Sequence, residues 1–400
     1  MNDSMKKPNL PIRLVAGIAA GIGLGSLGYL FSDNLIFVFF MRAVVTFSDL
    51  FSKFLSFVIP ILILSFVSKG LADLGKSANK LFGITIFTAY ASTVTAGILA
   101  YFAGVNLLPL FSSDTSGGIS DFGSYNVLFD LELTPVFGVM TALVLAFILG
   151  LGMANIKSGA LSSVVGDVKE IIEKLLGKII IPLIPVYVAC VFCNIAATGK
   201  LVVIIKMFAA AFLITVILQW IFIFIQFSAA SLITGKNQLG RIKNCMPAYI
   251  TALGTQSSAI TIPVNVKCGY DNGIKKEVAD FTLPLCATIH LAGDTIALTI
   301  GTMAVAAATG AGIASFGAYI PFILMLGVIM VAAPGVPGGG VMAALGIVES
   351  MLGFGAGMQS LLIGFHFAQD SFGTAANVTG DQAIALIVNG YDDKSEVTSD

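Results

Sequence analysis

Apolar residues run along this chain in long blocks with short polar interruptions. A helix needs about 20 mostly apolar residues to cross the hydrocarbon layer of a bilayer. Blocks of that kind lie near 14–32, 35–68, 80–104, 136–155, 178–198, 202–233, 279–309 and 352–390. Several exceed one crossing, so tilted or broken helices are expected. Two further apolar stretches fit less simply. One, 243–266, carries the polar run Thr255, Gln256, Ser257, Ser258 at its middle, and the other, 312–348, contains "APGVPGGGV" at 333–341.

Basic residues set the direction of the spans, because they concentrate on the cytoplasmic side. With the N-terminus inside, the inside segments hold Lys6, Lys7, Arg13, Lys69, Lys76, Lys80, Lys157, Lys169, Lys174, Lys178, Lys236, Arg241, Lys243, Lys267, Lys275, Lys276 and Lys394, most of the 21 Lys and Arg. The C-terminus is then also cytoplasmic. Segment 105–135 carries Asp114, Asp121, Asp130 and Glu132 and no basic residue, as an outside loop can. This scheme requires 243–266 to begin and end inside. A single helix of that length, rising 1.5 Å per residue, would exit on the wrong side. A hairpin of two half-length arms returns to the side it left. The same logic brings 312–348 in from the outside. Irregular backbone at membrane depth is tolerated only within protein or beside a water-filled cavity. Two such tips from opposite faces predict a polar cavity near the midplane, as secondary transporters build it.

Composition agrees. The 400 residues are 57% hydrophobic and 11% charged, less than half the ~25% charge of an ordinary soluble domain, so lipid is the expected solvent. A net charge of −1 argues against a nucleic-acid partner. The first block shows no small-residue cleavage pattern and reads as a retained span in the cytoplasmic membrane. Cys190, Cys193, Cys245, Cys268 and Cys286 lie in or beside apolar segments, and no disulfide is expected.

The candidate chemistry sits late in the chain. From Glu277 to Asp393 there is no Lys or Arg, yet both histidines, His290 and His366, fall there with Asp294, Asp370 and Asp381 at span depth. Intramembrane acids are costly and face a cavity or a partner. With no local cation, the counter-charge must come from a metal ion, a proton or a substrate ammonium. At 100° per residue, His366, Asp370, Thr374, Asn377 and Asp381 share one helical face. Gly373, Ala375, Ala376 and Gly380 between them permit close helix approach. His290 and Asp294, at i and i+4, are predicted to share a face too, as a self-neutralising pair or as proton carriers with His366.

The ordered set "TQSSAITIPV", "LCATIHLAGD", "GVPGGG" and "QDSFGTAANVTGD" resembles the dicarboxylate/amino acid:cation symporters, the bacterial and archaeal relatives of glutamate transporters. The match in order and spacing covers about 240–390. The resemblance implies an all-α polytopic membrane protein, a homotrimer embedded in lipid, with eight transmembrane helices and two re-entrant helical hairpins. It implies a scaffold, about 14–80 and 136–200, and an elevator-type transport domain, about 80–105 and 202–390, with the hairpins near 243–266 and 312–348. Gln256, Ser257 and Ser258 would cradle the substrate carboxylate, and the hairpin around Val336 and Gly338 would gate the site. Asp370 would hold the substrate ammonium, with Gly373, Thr374 and Asn377 beside it. Sodium, the co-transported ion, would take Asp381 and groups at Cys286, Thr288, His290 and Asn377, several through backbone carbonyls.

This chain departs from the pattern in three places. Acidic-substrate members carry an arginine where Gly373 stands. Their "NMDGT" is here "HLAGD", so the usual acid is Ala292 and one sodium site is expected to be missing, with Asp294 and His290 either replacing it or carrying a proton instead. The hairpin arginine position is Gln256. These departures resemble the serine/threonine sodium symporters and point to a small neutral or polar amino acid. Proton-coupled or mixed-coupled transport of a dicarboxylate or an acidic or sulfur-containing amino acid is the alternative. An intramembrane hydrolase or a channel is more remote, because no recognisable nucleophile motif joins Ser257 or Ser258 to the histidines. The expectation is a transporter and not an enzyme.

Overall fold

The computed structural model describes residues 10–31, 34–75, 80–111, 125–156, 159–199, 201–235, 238–331, 333 and 337–397. Among them there are helices and no strand. Lys6, Lys7, Lys76, Lys157, Lys236, Asp114, Asp121 and Val336 lie outside the described residues. The helices in order are α1 (Leu10–Leu30), α2 (Leu35–Gly75), α3 (Lys80–Leu107), α4 (Val139–Asn155), α5 (Ala160–Leu175), α6 (Ile181–Ala197), α7 (Leu201–Thr234), α8 (Gln238–Thr255), α9 (Ser258–Asp271), α10 (Lys276–Ile289), α11 (Ala292–Thr309), α12 (Phe316–Met330), α13 (Gly339–Leu352) and α14 (Ala356–Val397).

Among the described residues, six stretches are long and apolar enough to cross a membrane, namely Ile12–Leu30, Leu35–Ala72, Leu81–Phe111, Ala160–Ala197, Leu201–Thr234 and Lys276–Thr309. Two of the expected spans fall short for physical reasons. Helix α4 has only 17 residues. Helix α14 is long enough, at 42 residues, but buried polar residues such as Gln369, Asp370, Asn377 and Asp381 dilute its apolar character. Large apolar side chains on several helices face outward, among them Leu35, Phe87, Ile148, Leu213 and Leu232. A lipid-facing surface requires this, since the hydrocarbon is as apolar as the side chains.

Four of the expected segments differ from simple rods. The span expected at 178–198 begins earlier, because α5 runs into α6 through one π-helical turn, Leu176–Ile180. The span expected at 279–309 is broken between α10 and α11, where His290 (φ −123°, ψ 92°) and Leu291 (φ −118°, ψ 50°) leave helical geometry. The two problem stretches each form a pair of short helices packed on each other, α8 with α9 and α12 with α13.

Close backbone approach ties α1 to α6. A Cβ on Gly17, Gly21 or Gly25 would lie 2.6, 2.2 or 2.1 Å from the carbonyl oxygens of Pro185, Ala189 and Cys193. Glycines spaced by four form one face, the small-residue seam that lets helices meet without a hydrophobic driving force. Gly21→Leu is expected to part α1 from α6 and to cost about 1–3 kcal/mol or more. A lower melting temperature of the detergent-purified variant checks this.

Candidate substrate and cation site

Helix α14 carries the site. It is unbroken through the motif, so the face inferred from spacing is a real face. His366, Asp370, Thr374, Asn377 and Asp381 are all at least 95% buried. Small residues on it admit its neighbours. A Cβ on Gly293 would lie 2.4 Å from the Gly373 carbonyl, and one on Gly373 would lie 2.9 Å from Asp294 Oδ1. The missing side chain at 373 is therefore where the Asp294 carboxylate sits.

The break before α11 frees backbone groups that need partners. Asn377 supplies one from the neighbouring helix. Its Oδ1 accepts from the backbone N–H of Gly293 at 2.7 Å and lies 3.4 Å from that of Asp294, while its Nδ2 donates to Asp294 Oδ2 at 3.1 Å. Gln219 of α7 donates to the Gly293 carbonyl at 3.1 Å. One asparagine thus caps a helix start and orients an acid.

Both turns between short helices reach α14 at adjacent residues. Between α8 and α9, Gln256 adopts φ 52°, the one positive φ at a non-glycine among the described residues. Its Nε2 donates to Ser371 Oγ at 2.9 Å. Such a backbone costs about 1–3 kcal/mol and marks functional sites. Ser257 is the N-cap of α9, its hydroxyl accepting from the Ile260 N–H at 3.4 Å, and Ser258 is buried in the first turn. Before α13, Gly338 takes φ +71° and its N–H donates to Asp370 Oδ2 at 2.9 Å. A Cβ there would fall 1.9 Å from the Phe367 ring, so this turn accepts only glycine.

The expected His290–Asp294 pairing is corrected by the structure. The helix breaks at His290, so i,i+4 geometry does not apply across it. His290 turns to α14 instead, with Nδ1 2.9 Å from Asp381 Oδ1. Its Nε2 lies 3.0 Å from Ser92 Oγ of α3 and 3.2 Å from Gln226 Nε2 of α7, and Gln226 also donates to Ser92 at 2.8 Å. These partners suit a ring that donates from Nδ1 and accepts at Nε2. Asp381 Oδ2 is buried without a hydrogen-bond partner. Asp294 faces the other histidine, with His366 Nε2 3.7 Å from Asp294 Oδ1 and 3.5 Å from Asp370 Oδ1. The polar centre therefore has two groups, one around Asp381 and one around Asp370.

Of the other anticipated residues, Cys286 is buried and its carbonyl accepts from the His290 N–H at 2.9 Å. Thr288 is exposed and donates to the Leu285 carbonyl, so its side chain takes no part in the buried network. The spacing argument missed Ser92, Gln219 and Gln226. A signal existed for the glutamines, which stand two turns apart in the otherwise apolar "LQWIFIFIQ".

A bundle of helices, several long and apolar enough to cross a membrane, encloses a buried polar centre assembled at a helix break and two inter-helix turns, the architecture of a multi-pass membrane protein. Residues 10–391 match the sodium:dicarboxylate symporter family, and the chain belongs to that family. Excitatory amino acid transporter 2 of Mus musculus is 29% identical over 251 residues, covering 61% of this chain and 43% of that protein. Excitatory amino acid transporter 1 of Homo sapiens is 32% identical over 158 residues, 39% of this chain and 29% of that protein. The excitatory amino acid transporter of Caenorhabditis elegans is 31% identical over 159 residues, 40% and 31% respectively. The matches thus span less than half the length of these relatives.

Proposed function

We propose that this chain is a sodium-coupled symporter of small neutral or polar amino acids of the serine/threonine kind. One observation carries the reading. Two turns from different parts of the chain converge on adjacent α14 residues, Asp370 and Ser371, in a region without Lys or Arg. A zwitterionic amino acid supplies what such a place lacks. Its ammonium pairs with Asp370. Its carboxylate takes the N–H groups and hydroxyls at Gln256–Ser258, where a helix start favours an anion. Gly373 leaves no cation for an acidic side chain, and the Asp294 carboxylate beside it repels one.

In this reading α8/α9 and α12/α13 are re-entrant hairpins, and the second is the gate. Helices α3, α7, α10, α11 and α14 would move with them against a scaffold of α1, α2, α4, α5 and α6, in a homotrimer of the cytoplasmic membrane with both termini inside. Support comes from packing, since α11 and α14 lie on α7 and α3 while α1 lies on α6 and α2 on α4. Sodium would take Asp381, whose Oδ2 is unpartnered, with nearby carbonyls, as a hard cation prefers oxygen.

A second reading on the same fold, proton coupling, is favoured by the His290 ring resting on Asp381, the acid assigned to sodium. Uptake of labelled serine into proteoliposomes under separate sodium and proton gradients decides between them. Sodium-driven uptake, inhibited by threonine and alanine but not by aspartate, is expected. Uptake driven by the pH gradient without sodium would establish proton coupling. Uptake of a dicarboxylate or an acidic amino acid in place of serine would overturn the substrate class.

A further inference from the structure

We propose that Asp294, His366 and Asp370 form a buried site for a divalent first-row transition cation of the manganese, cobalt or zinc kind. One ligand atom from each residue comes within 4.8 Å of the others. His366 Nε2 stands 3.5 Å from Asp370 Oδ1 and 3.7 Å from Asp294 Oδ1. These separations are too long for hydrogen bonds to a carboxylate, which run about 2.7–2.9 Å. They suit ligands around one ion, since two atoms each about 2.1 Å from a metal stand roughly 3–4 Å apart.

The outer contacts of the acids leave the inner atoms free. Asp294 Oδ2 is held by Asn377 Nδ2 at 3.1 Å, and Asp370 Oδ2 by the Gly338 N–H at 2.9 Å. Such secondary contacts fix the orientation of metal-ligating carboxylates. The two Oδ1 atoms then face His366. The His366 side chain is fully buried, and neither its Nε2 nor Asp294 Oδ1 has a hydrogen-bond partner. A buried imidazole nitrogen and a buried carboxylate oxygen without such partners are costly to keep. A cation at the shared point satisfies His366 Nε2 and Asp294 Oδ1 and takes Asp370 Oδ1 as its third ligand, while His366 Nδ1 stays unpartnered. One nitrogen and two oxygens favour a transition cation over sodium or calcium, which prefer oxygen alone.

This goes beyond the transport reading, and it has a consequence for it. The metal and a substrate ammonium would share Asp370, so bound metal excludes substrate. The site also differs from that given to sodium, because Asp381 pairs with the other histidine.

The test uses the full chain in nanodiscs, titrated with Co²⁺, whose visible absorption reports nitrogen and oxygen ligation, with metal counted per chain after gel filtration. The wild type is expected to take one Co²⁺ with ligand-field bands. His366→Gln and Asp294→Asn are each expected to weaken binding at least tenfold, while Glu170→Gln, an exposed acid on α5, binds as the wild type does. Gel-filtration profiles and melting temperatures verify that each variant is folded. No Co²⁺ bound by the folded wild type, or less than a tenfold loss in either site variant, overturns the proposal. The titration needs no transport, so failure of serine uptake leaves it standing, and its own failure leaves the uptake result standing.

Discussion

Asp370→Asn is expected to bring amino-acid uptake to background in a protein that still folds. The substitution keeps the side chain's size. The Gly338 N–H can donate to the amide oxygen as it does to Asp370 Oδ2 at 2.9 Å, so the turn before α13 keeps its anchor. What disappears is a negative charge in a pocket that is 97% buried at this residue and whose surrounding segment, Glu277 to Asp393, has no Lys or Arg. An ammonium entering that place loses its water and has no full-charge partner at 370. Removing one member of a buried, hydrogen-bonded charge pair costs about 2–5 kcal/mol, which is roughly 30-fold to several thousand-fold in affinity. Proteoliposome uptake gives the rate. The melting temperature with and without substrate separates lost binding from lost fold. A variant that transports at wild-type rate with wild-type affinity would remove Asp370 from the ammonium site, and with it the central step of the proposed mechanism.

What the sequence could say about this site depended on where the information lay. The α14 face was legible because one unbroken helix carries it, so a fixed angle per residue orders His366, Asp370, Asn377 and Asp381 correctly. The two pairs of short helices were legible from the placement of charge around 243–266 and from the glycines and prolines of 333–341, a signal independent of hydropathy. The break at His290 and Leu291 was not. Neither residue is glycine or proline, and the apolar block continues through both. The break is compensated from a distance, by Asn377 and Gln219 on other helices. No local spacing encodes a partner 84 residues away. Assigning His290 to Asp294 therefore failed for a definite reason: the i,i+4 rule presumes a continuous helix, and here the helix stops between them. The same break aims His290 at Asp381 and leaves Asp294 to His366, turning one presumed pair into two separate polar groups.

That separation makes Asp381→Asn informative in a way Asp370→Asn is not. Asp381 makes one contact to His290 Nδ1 at 2.9 Å and has one unpartnered oxygen, Oδ2. An asparagine can still accept the Nδ1–H through its carbonyl oxygen, so the ring, Ser92 and Gln226 keep their arrangement. The unpartnered oxygen, however, is replaced by an amide NH2, a donor with no lone pair or charge to offer a sodium ion. Loss of the charged partner of a buried ion costs about 3–5 kcal/mol, so the sodium concentration for half-maximal uptake is expected to rise roughly 100-fold or more. Serine affinity at saturating sodium should change far less, because the substrate groups lie at the other end of the α14 face. His290→Asn is the companion. It removes the ring and leaves Asp381 ionisable with both oxygens free. Under sodium coupling, uptake by that variant remains sodium-dependent. Under proton coupling, it loses its response to the pH gradient. An Asp381→Asn protein with unchanged sodium dependence would move the ion away from this acid, and the contact between Asp381 and His290 would then stand as a structural link between α14 and the broken helix.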